Sequence, residues 1–221
     1  MASPELGADD FPSLDPPRRF GAYEMRSLLS EVDAIMASAG SAKVRLVAVG
    51  GAAMLSRIPG RLTGDIDIVS EGMNDDVRRA CKVVAEKHNL SPDWINDGVK
   101  GFAVSVELQP ERIFTGQCLI LVSAGSQYLL ATKLLSGRRS DEDDCIELIR
   151  ETEIYDDEKL LDLMESAAGV RGLLPRDEYW AKEVLATARK GRRMRSMRRW
   201  VRSLVRRVLL LGLLGQGCES G

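Results

Sequence analysis

Apolar and polar positions alternate along the chain with two periods. In "AYEMRSLLSEVDAIMASAG", residues 22 to 40, Met25, Leu28, Leu29, Val32, Ile35 and Met36 recur at spacings of three and four. That pattern predicts a helix, with Gly40 available just past its end. "KVRLVAVGG" is short, valine-rich and stopped by glycines, as suits a buried strand, and a turn into a helix follows at "GGAAMLSRI". "GDIDIVS" predicts a second strand, with Ile66, Ile68 and Val69 around two acids. "NDDVRRACKVVAEKH" opens with the capping and first-turn residues Asn74, Asp75 and Asp76, and continues with helical spacing through Val77, Ala80, Val83 and Val84.

"FAVSVELQ" and "CLILVS" are two further strand candidates. Beyond them the pattern turns helical in "SQYLLATKLLSGR", "SDEDDCIELIRE", "DEKLLDLMESA" and "PRDEYWAKEVLATARK", with Ser140 ahead of Asp141, Glu142 and Asp143 as a predicted N-terminus. The organisation expected is a leader over 1–20, an α/β unit over 21–122 whose sheet begins near residue 40, a helical section over 123–190 and a tail over 191–221. The leader "MASPELGADDFPSLDPPRRF" has early acids and prolines, which predicts disorder and does not fit a signal peptide.

Charge alters this picture only at the tail. The formal net charge of the 221 residues is -2. From Arg189 to Arg207, however, there are ten basic residues and no acidic one, against 21 basic and 33 acidic residues elsewhere. From Met194 the apolar positions Met197, Val201, Leu204, Val208 and Leu211 recur at three and four, with Arg195, Arg198, Arg199, Arg202 and Arg206 between them. Residues 191–214 are therefore expected to form a basic amphipathic helix, suited to an anionic membrane, an acidic nucleic acid such as tRNA, or an acidic protein surface. The apolar run "VLLLGLL" is much shorter than the roughly 20 residues a spanning helix requires.

The four cysteines, Cys81, Cys118, Cys145 and Cys218, are far apart, which supports neither a disulfide framework nor a thiolate zinc site. A reducing, cytoplasmic setting is the expectation. The lone histidine, His88, sits late in a predicted helix beside Lys87 and Asn89, where a surface or capping role is expected. Ser-His-Asp or Cys-His hydrolysis would have to rely on it, which disfavours both.

The unusual feature is the pair of acids in the second strand. Residues i and i+2 of a strand share a face, so Asp65 and Asp67 would stand side by side while Ile66 and Ile68 face the core. Adjacent carboxylates repel unless donors or a cation neutralise them, and magnesium prefers one or two carboxylates together with phosphates and water. Gly50 and Gly51, with thirteen residues between Gly51 and Asp65, lie where a strand passes into a helix and where backbone N–H groups can approach a phosphate.

"VGGAAMLSRIPGRLTGDIDIV" thereby resembles the signature of the DNA polymerase beta-like nucleotidyltransferase superfamily, in which Gly-Gly or Gly-Ser precedes Asp-apolar-Asp by a spacer near this length. A second segment, "YLLATKLLSGRRSDEDDCIELI", looks like part of AbiEii-type abortive-infection nucleotidyltransferases and related uncharacterised families. Its matching positions are Lys133, Arg138 or Arg139, Asp141 and Asp144. The resemblance spans about residues 44 to 150. It also touches "DWINDGVKGF", which would make Trp94 and Asn96 structural or substrate-facing.

The resemblance implies a small mixed sheet flanked by helices with a helical C-terminal section, and transfer of NMP from a magnesium-bound NTP such as ATP to RNA, protein or a small molecule, of toxin–antitoxin type. It implies a metal on the catalytic pair Asp65 and Asp67 and nucleotide binding at Gly50, Gly51, Lys133, Arg138, Asp141 and Asp144; Asp141 and Asp144 would share a helix face, from which they could fix Arg138 by charge-assisted hydrogen bonds. Superfamily members also bring a third carboxylate from a neighbouring strand, for which Glu107 in "FAVSVEL" is the candidate. A catalytically inactive fold kept as a binding module is the alternative implied.

Overall fold

The computed structural model describes residues 18–69, 72–98 and 110–214. These divide into two compact units, one containing residues up to 98 together with 110–123, the other residues 124–214. The chain is a mixed α/β protein with a five-stranded sheet flanked by helices and a helical C-terminal section.

In the first unit α1 (Ala22–Ser38) precedes β1 (Val44–Val49), α2 (Gly50–Met54), β2 (Ile66–Ile68), α3 (Asp75–His88), β3 (Ile95–Asn96), β4 (Glu111–Thr115) and β5 (Leu119–Ser123). The strand order is β3-β2-β1-β5-β4. β1 is central, antiparallel to β2 and parallel to β5, while β2 and β3 are parallel and β4 and β5 antiparallel. Its sequence accounts for that position: Leu46, Val47, Ala48 and Val49 are all buried, as a strand covered on both faces requires.

Both long helices of this unit bury one stripe. α1 buries Met25, Leu28, Leu29, Val32 and Met36, and α3 buries Val77, Ala80, Cys81, Val84 and Ala85. Val83, expected on the buried face, is 48% exposed. The Asn74 side chain accepts from the Val77 N–H at 3.0 Å and caps α3, which ends where Asn89 turns left-handed. His88 joins the two helices through Glu31, 3.0 Å away. Hydrogen bonds from Lys87 and then His88 hold the Glu31 carboxyl below the usual range. Because the folded value is lowered, this contribution is present above the unfolded pKa and lost as pH falls through the folded one.

Three features lay outside the sequence reading. Phe20, placed at the end of a disordered leader, is fully buried, bridges Thr63 and meets Trp94 edge-to-face at 5.9 Å. β3 and β4 were not expected. The predicted strand "FAVSVELQ", with Glu107, lies outside the described residues.

The second unit comprises α4 (Ser126–Ser136), α5 (Glu142–Thr152), α6 (Asp157–Ala168) and α7 (Pro175–Leu214), with 3-10 turns at Arg139–Asp141 and Gly169–Arg171. Ser140 is not the cap of α5. It lies inside the 3-10 turn, and the cap position falls on Asp141, whose side chain makes no capping bond because it is engaged elsewhere. α7 carries Pro175 at its first position and continues unbroken through Gly191, so the section expected to end at 190 and the tail expected from 191 share one helix.

A single carboxylate organises the β4–β5 turn. Asp33 of α1 accepts the N–H groups of Gln117, Cys118 and Leu119 at 2.9, 2.8 and 2.7 Å, and lies so close to Gly116 that no side chain fits there. Asp33→Ala leaves those amides without acceptors, two of them on buried residues, and is expected to cost on the order of 3 kcal/mol, with Asp33→Asn in between. Urea unfolding midpoints of the three proteins check this ranking.

Candidate functional site

Of the two acids expected side by side in the second strand, Asp67 lies in β2 and Asp65 lies one residue before it. Ile66 and Ile68 are fully buried, whereas Asp65 is exposed and Asp67 half-buried. Each carboxylate is held from a neighbouring segment. Thr63 Oγ1 donates within 3.2 Å of Asp65 Oδ1 and of the Asp65 carbonyl oxygen. Asn96 Nδ2, directly opposite Asp67 in the β2–β3 pairing, donates to Asp67 Oδ1 at 3.2 Å. The Asn96 amide is itself oriented, since its Oδ1 accepts from the Gly98 N–H at 3.0 Å.

The glycine pair meets the acids through the β1–β2 register, in which Val49 faces Asp67. Gly50 follows with φ +62, a left-handed conformation that side chains rarely adopt, and a Cβ there would lie 2.7 Å from Asp67 Oδ2. A Cβ on Gly51 would lie 2.8 Å from Thr63 Oγ1. The space vacated by both glycines is thus filled from within, by the residues that carry or orient the acids. Since α2 has only five residues, its dipole adds little to an anion site.

The ends of β1 and β5 lie together in this sheet, with Ala48 opposite Ser123. There the Arg57 guanidinium, its side chain 6% exposed, donates to Ala53 O at 2.6 Å and Ser123 Oγ at 3.5 Å and pairs with Glu111 at 2.8 Å. Sequence reasoning missed Arg57. A lone arginine in a Gly- and Pro-containing segment carries no periodic signal.

The second set of expected residues forms a different arrangement. Lys133 is buried on α4, and its Nζ lies 3.0 Å from Asp141 Oδ1 and 2.8 Å from Asp144 Oδ2, the latter carboxylate fully buried. Asp141 and Asp144 therefore hold Lys133, not Arg138. Arg138 is exposed and has no ion pair among the described contacts. Arg139 lies over the Trp180 ring at 5.3 Å and pairs with Glu183 at 3.3 Å. The correction follows from side-chain reach: a lysine eight residues before Asp141 meets both acids across the α4–α5 turn, while the arginine inside that turn points to solvent.

Gly50, Gly51, Asp65 and Asp67 are thus brought together in the first unit, and Lys133, Asp141 and Asp144 in the second. The Asp65 and Asp67 carboxylates, one just before β2 and one within it, are hard oxygen donors of the kind that suits magnesium. Among the described residues, no group of three or more His, Cys, Asp or Glu side chains is placed to hold a metal ion. Burial pushes the Cys81 and Cys145 thiols up to about 12, which keeps both protonated and unreactive. Trp94 is structural, fully buried with its indole N–H donating to Cys81 O at 3.0 Å.

Comparison of the chain with protein-family models, with curated proteins and with solved structures returned no match.

Two outcomes test these contacts. Gly50→Ala combines the left-handed penalty with the Asp67 clash, whereas Gly60→Ala, at φ +76 with open space around it, meets only the former, of about 1–2 kcal/mol. Gly50→Ala is expected to destabilise more, and the excess to shrink in an Asp67→Ala background, read as a double-mutant cycle in urea. Lys133→Met strands two carboxylates around a lost cation and is expected to cost about 3–5 kcal/mol. Arg138→Ala should change stability by less than about 0.5 kcal/mol in the same assay.

Proposed function

We propose that the first unit carries a nucleotidyltransferase site. The observation that carries the reading is the β1–β2 register: it seats a Gly-Gly turn against Asp67, the second acid of the Asp-Ile-Asp run, so the glycine turn and a pair of hard oxygen ligands share one end of the sheet. Asp65 and Asp67 would hold magnesium. When bound, the metal supplies charge neutralisation on the phosphates of an NTP.

The residues of this chain contribute positioning and proton handling. Asn96 and Thr63 fix the two carboxylates in advance, which lowers the ordering cost of binding. In the transfer itself an acceptor oxygen forms a bond to the alpha phosphorus and the bond to the pyrophosphate oxygen breaks. Pyrophosphate leaves, and the acceptor proton passes to a carboxylate, the role assigned from sequence to Glu107. The acceptor class is RNA, protein or a small molecule.

One observation favours a second reading, a nucleotide-binding module without transfer. The Lys133 ammonium is buried and engaged by two aspartates, so it is not disposed as an open phosphate clamp.

Incubation with alpha-labelled NTPs, magnesium, total RNA and a protein extract separates the readings. Label is expected to enter RNA or protein with the wild type and not with Asp65→Ala or Asp67→Asn, and Asn96→Ala is expected to weaken magnesium binding about 10- to 100-fold. Magnesium-dependent NTP binding without transfer supports the module. Absence of NTP binding overturns both readings.

A further inference from the structure

Helix α7 changes the face on which it is apolar part-way along its length. Its first half buries Trp180, Ala181, Val184, Leu185 and Ala188, the stripe that packs within the second unit. That packing is closed off by two arginines: Arg189 donates to Tyr155 O and pairs with Asp157, and Arg192 lies over the Tyr155 ring at 4.2 Å. After Ala188 no buried position occurs among those whose exposure is described. The helix nevertheless runs on to Leu214.

Helical phase shows what the continuation carries. With about 100° between successive residues, the line of the buried stripe passes through positions 192, 195, 199, 202 and 206, and every one of them is arginine. The apolar positions 194, 197, 201, 204, 208 and 211 fall on roughly the opposite side. The first two of these, Met194 and Met197, are 56% and 64% exposed. The apolar stripe of the second half is therefore not an extension of the core contact. It is a separate face, uncovered at its start, with arginines along the other side.

We propose that this second half of α7 lies on an anionic bilayer surface, apolar stripe down, with its arginines at the level of the lipid phosphates. Three properties select that occupant. The region from Arg189 to Arg207 has ten basic residues and no acid, so pairing with the same helix of a second copy would set like charges together. A nucleic acid would use the arginines and leave Val201, Leu204, Val208 and Leu211 in water. A bilayer interface uses both faces, and it also accepts "VLLLGLL", which is apolar all round. Among the described residues no helix is long and apolar enough to cross a membrane, which is consistent with a helix that lies along the interface.

The contact is independent of the Asp65–Asp67 site, and the full chain tests it. Trp94 and Trp180 are buried at 0% and 6% exposure, so a fluorescence change on binding reports chiefly on Trp200. Sedimentation with vesicles of equimolar phosphatidylcholine and phosphatidylserine is expected to capture the protein. Phosphatidylcholine alone should not. Binding should weaken as salt rises, with a blue shift of emission. Arg198→Gln/Arg202→Gln is expected to weaken binding about 30-fold, at about fivefold per arginine, and Val201→Gln/Leu204→Gln to abolish the blue shift. Asp67→Asn should bind vesicles as the wild type does. Equal binding to neutral vesicles, no binding to anionic ones at low salt, or binding of total RNA or self-association in place of vesicle binding would each overturn the proposal.

Discussion

The pairing of β1 with β2 is the constraint on which the candidate site depends. β1 is bonded on both sides, to β2 and to β5, so its register cannot slip by one residue without exchanging its buried Leu46 and Ala48 for the opposite face. That fixed strand delivers Gly50 at its end in a left-handed turn, and the same register puts Asp67 beside it. Asp67 is in turn opposite Asn96, which donates to it. Position, orientation and hydrogen bonding of one acid are thus consequences of backbone pairing, with little left to flexible side chains. Asp65, one residue before the strand, is oriented by Thr63 and stays exposed, so the two carboxylates are alike in chemistry and unlike in restraint.

Charge is handled differently in the second unit. There two aspartates surround one lysine, with Asp144 fully buried and Lys133 nearly so. Burying an ion costs several kcal/mol, and the cost is met only where the partner groups are close and hydrogen-bonded. Lys133 donates a hydrogen bond to Asp141 at 3.0 Å and forms an ion pair with Asp144 at 2.8 Å, so both charges have a close partner. Such a cluster fixes how α4 sits against α5, because any sliding of one helix separates the charges. The segment that suggested a phosphate contact in sequence therefore has a sufficient structural explanation in its own ion pairs.

The elements legible in sequence were those with a strong period or a clear punctuation. α1 and α3, the β1 strand with its glycines, β2 and β5 follow the reading closely, since their apolar spacing coincides with their burial. β3 has two residues and β4 is nowhere fully buried, so neither produces a hydrophobic alternation strong enough to read. The strand pair Asp65–Asp67 and its glycines were legible as residue types. Their orienting groups, Thr63 and Asn96, were not assigned those roles: Asn96 is 29 residues from Asp67, and the Thr63 bond, though only two residues from Asp65, is one contact without a repeating pattern. Ser140 failed as a cap for a related reason: the Lys133 ion pair, a tertiary contact, overrode the local capping preference that the sequence displays.

The long helix shows what a period can reveal when it is followed past the point where packing ends. A single amphipathic helix that served one partner would keep its apolar stripe in phase along its whole length. In α7 the stripe is lost near Ala188 and reappears on the other side from Met194, with no break in the backbone between. The change cannot be attributed to a bend, since a bend alters direction and not the rotational phase of side chains relative to the local axis. It requires that two surfaces acted on the two halves. The first is the helical unit itself, identified by its buried residues. The second surface must accept apolar groups on one side and many arginines with no acidic residue on the other, a combination that water leaves unsatisfied on the apolar side and that another copy of the helix opposes by repulsion. An anionic interface with a hydrocarbon interior satisfies both demands at once.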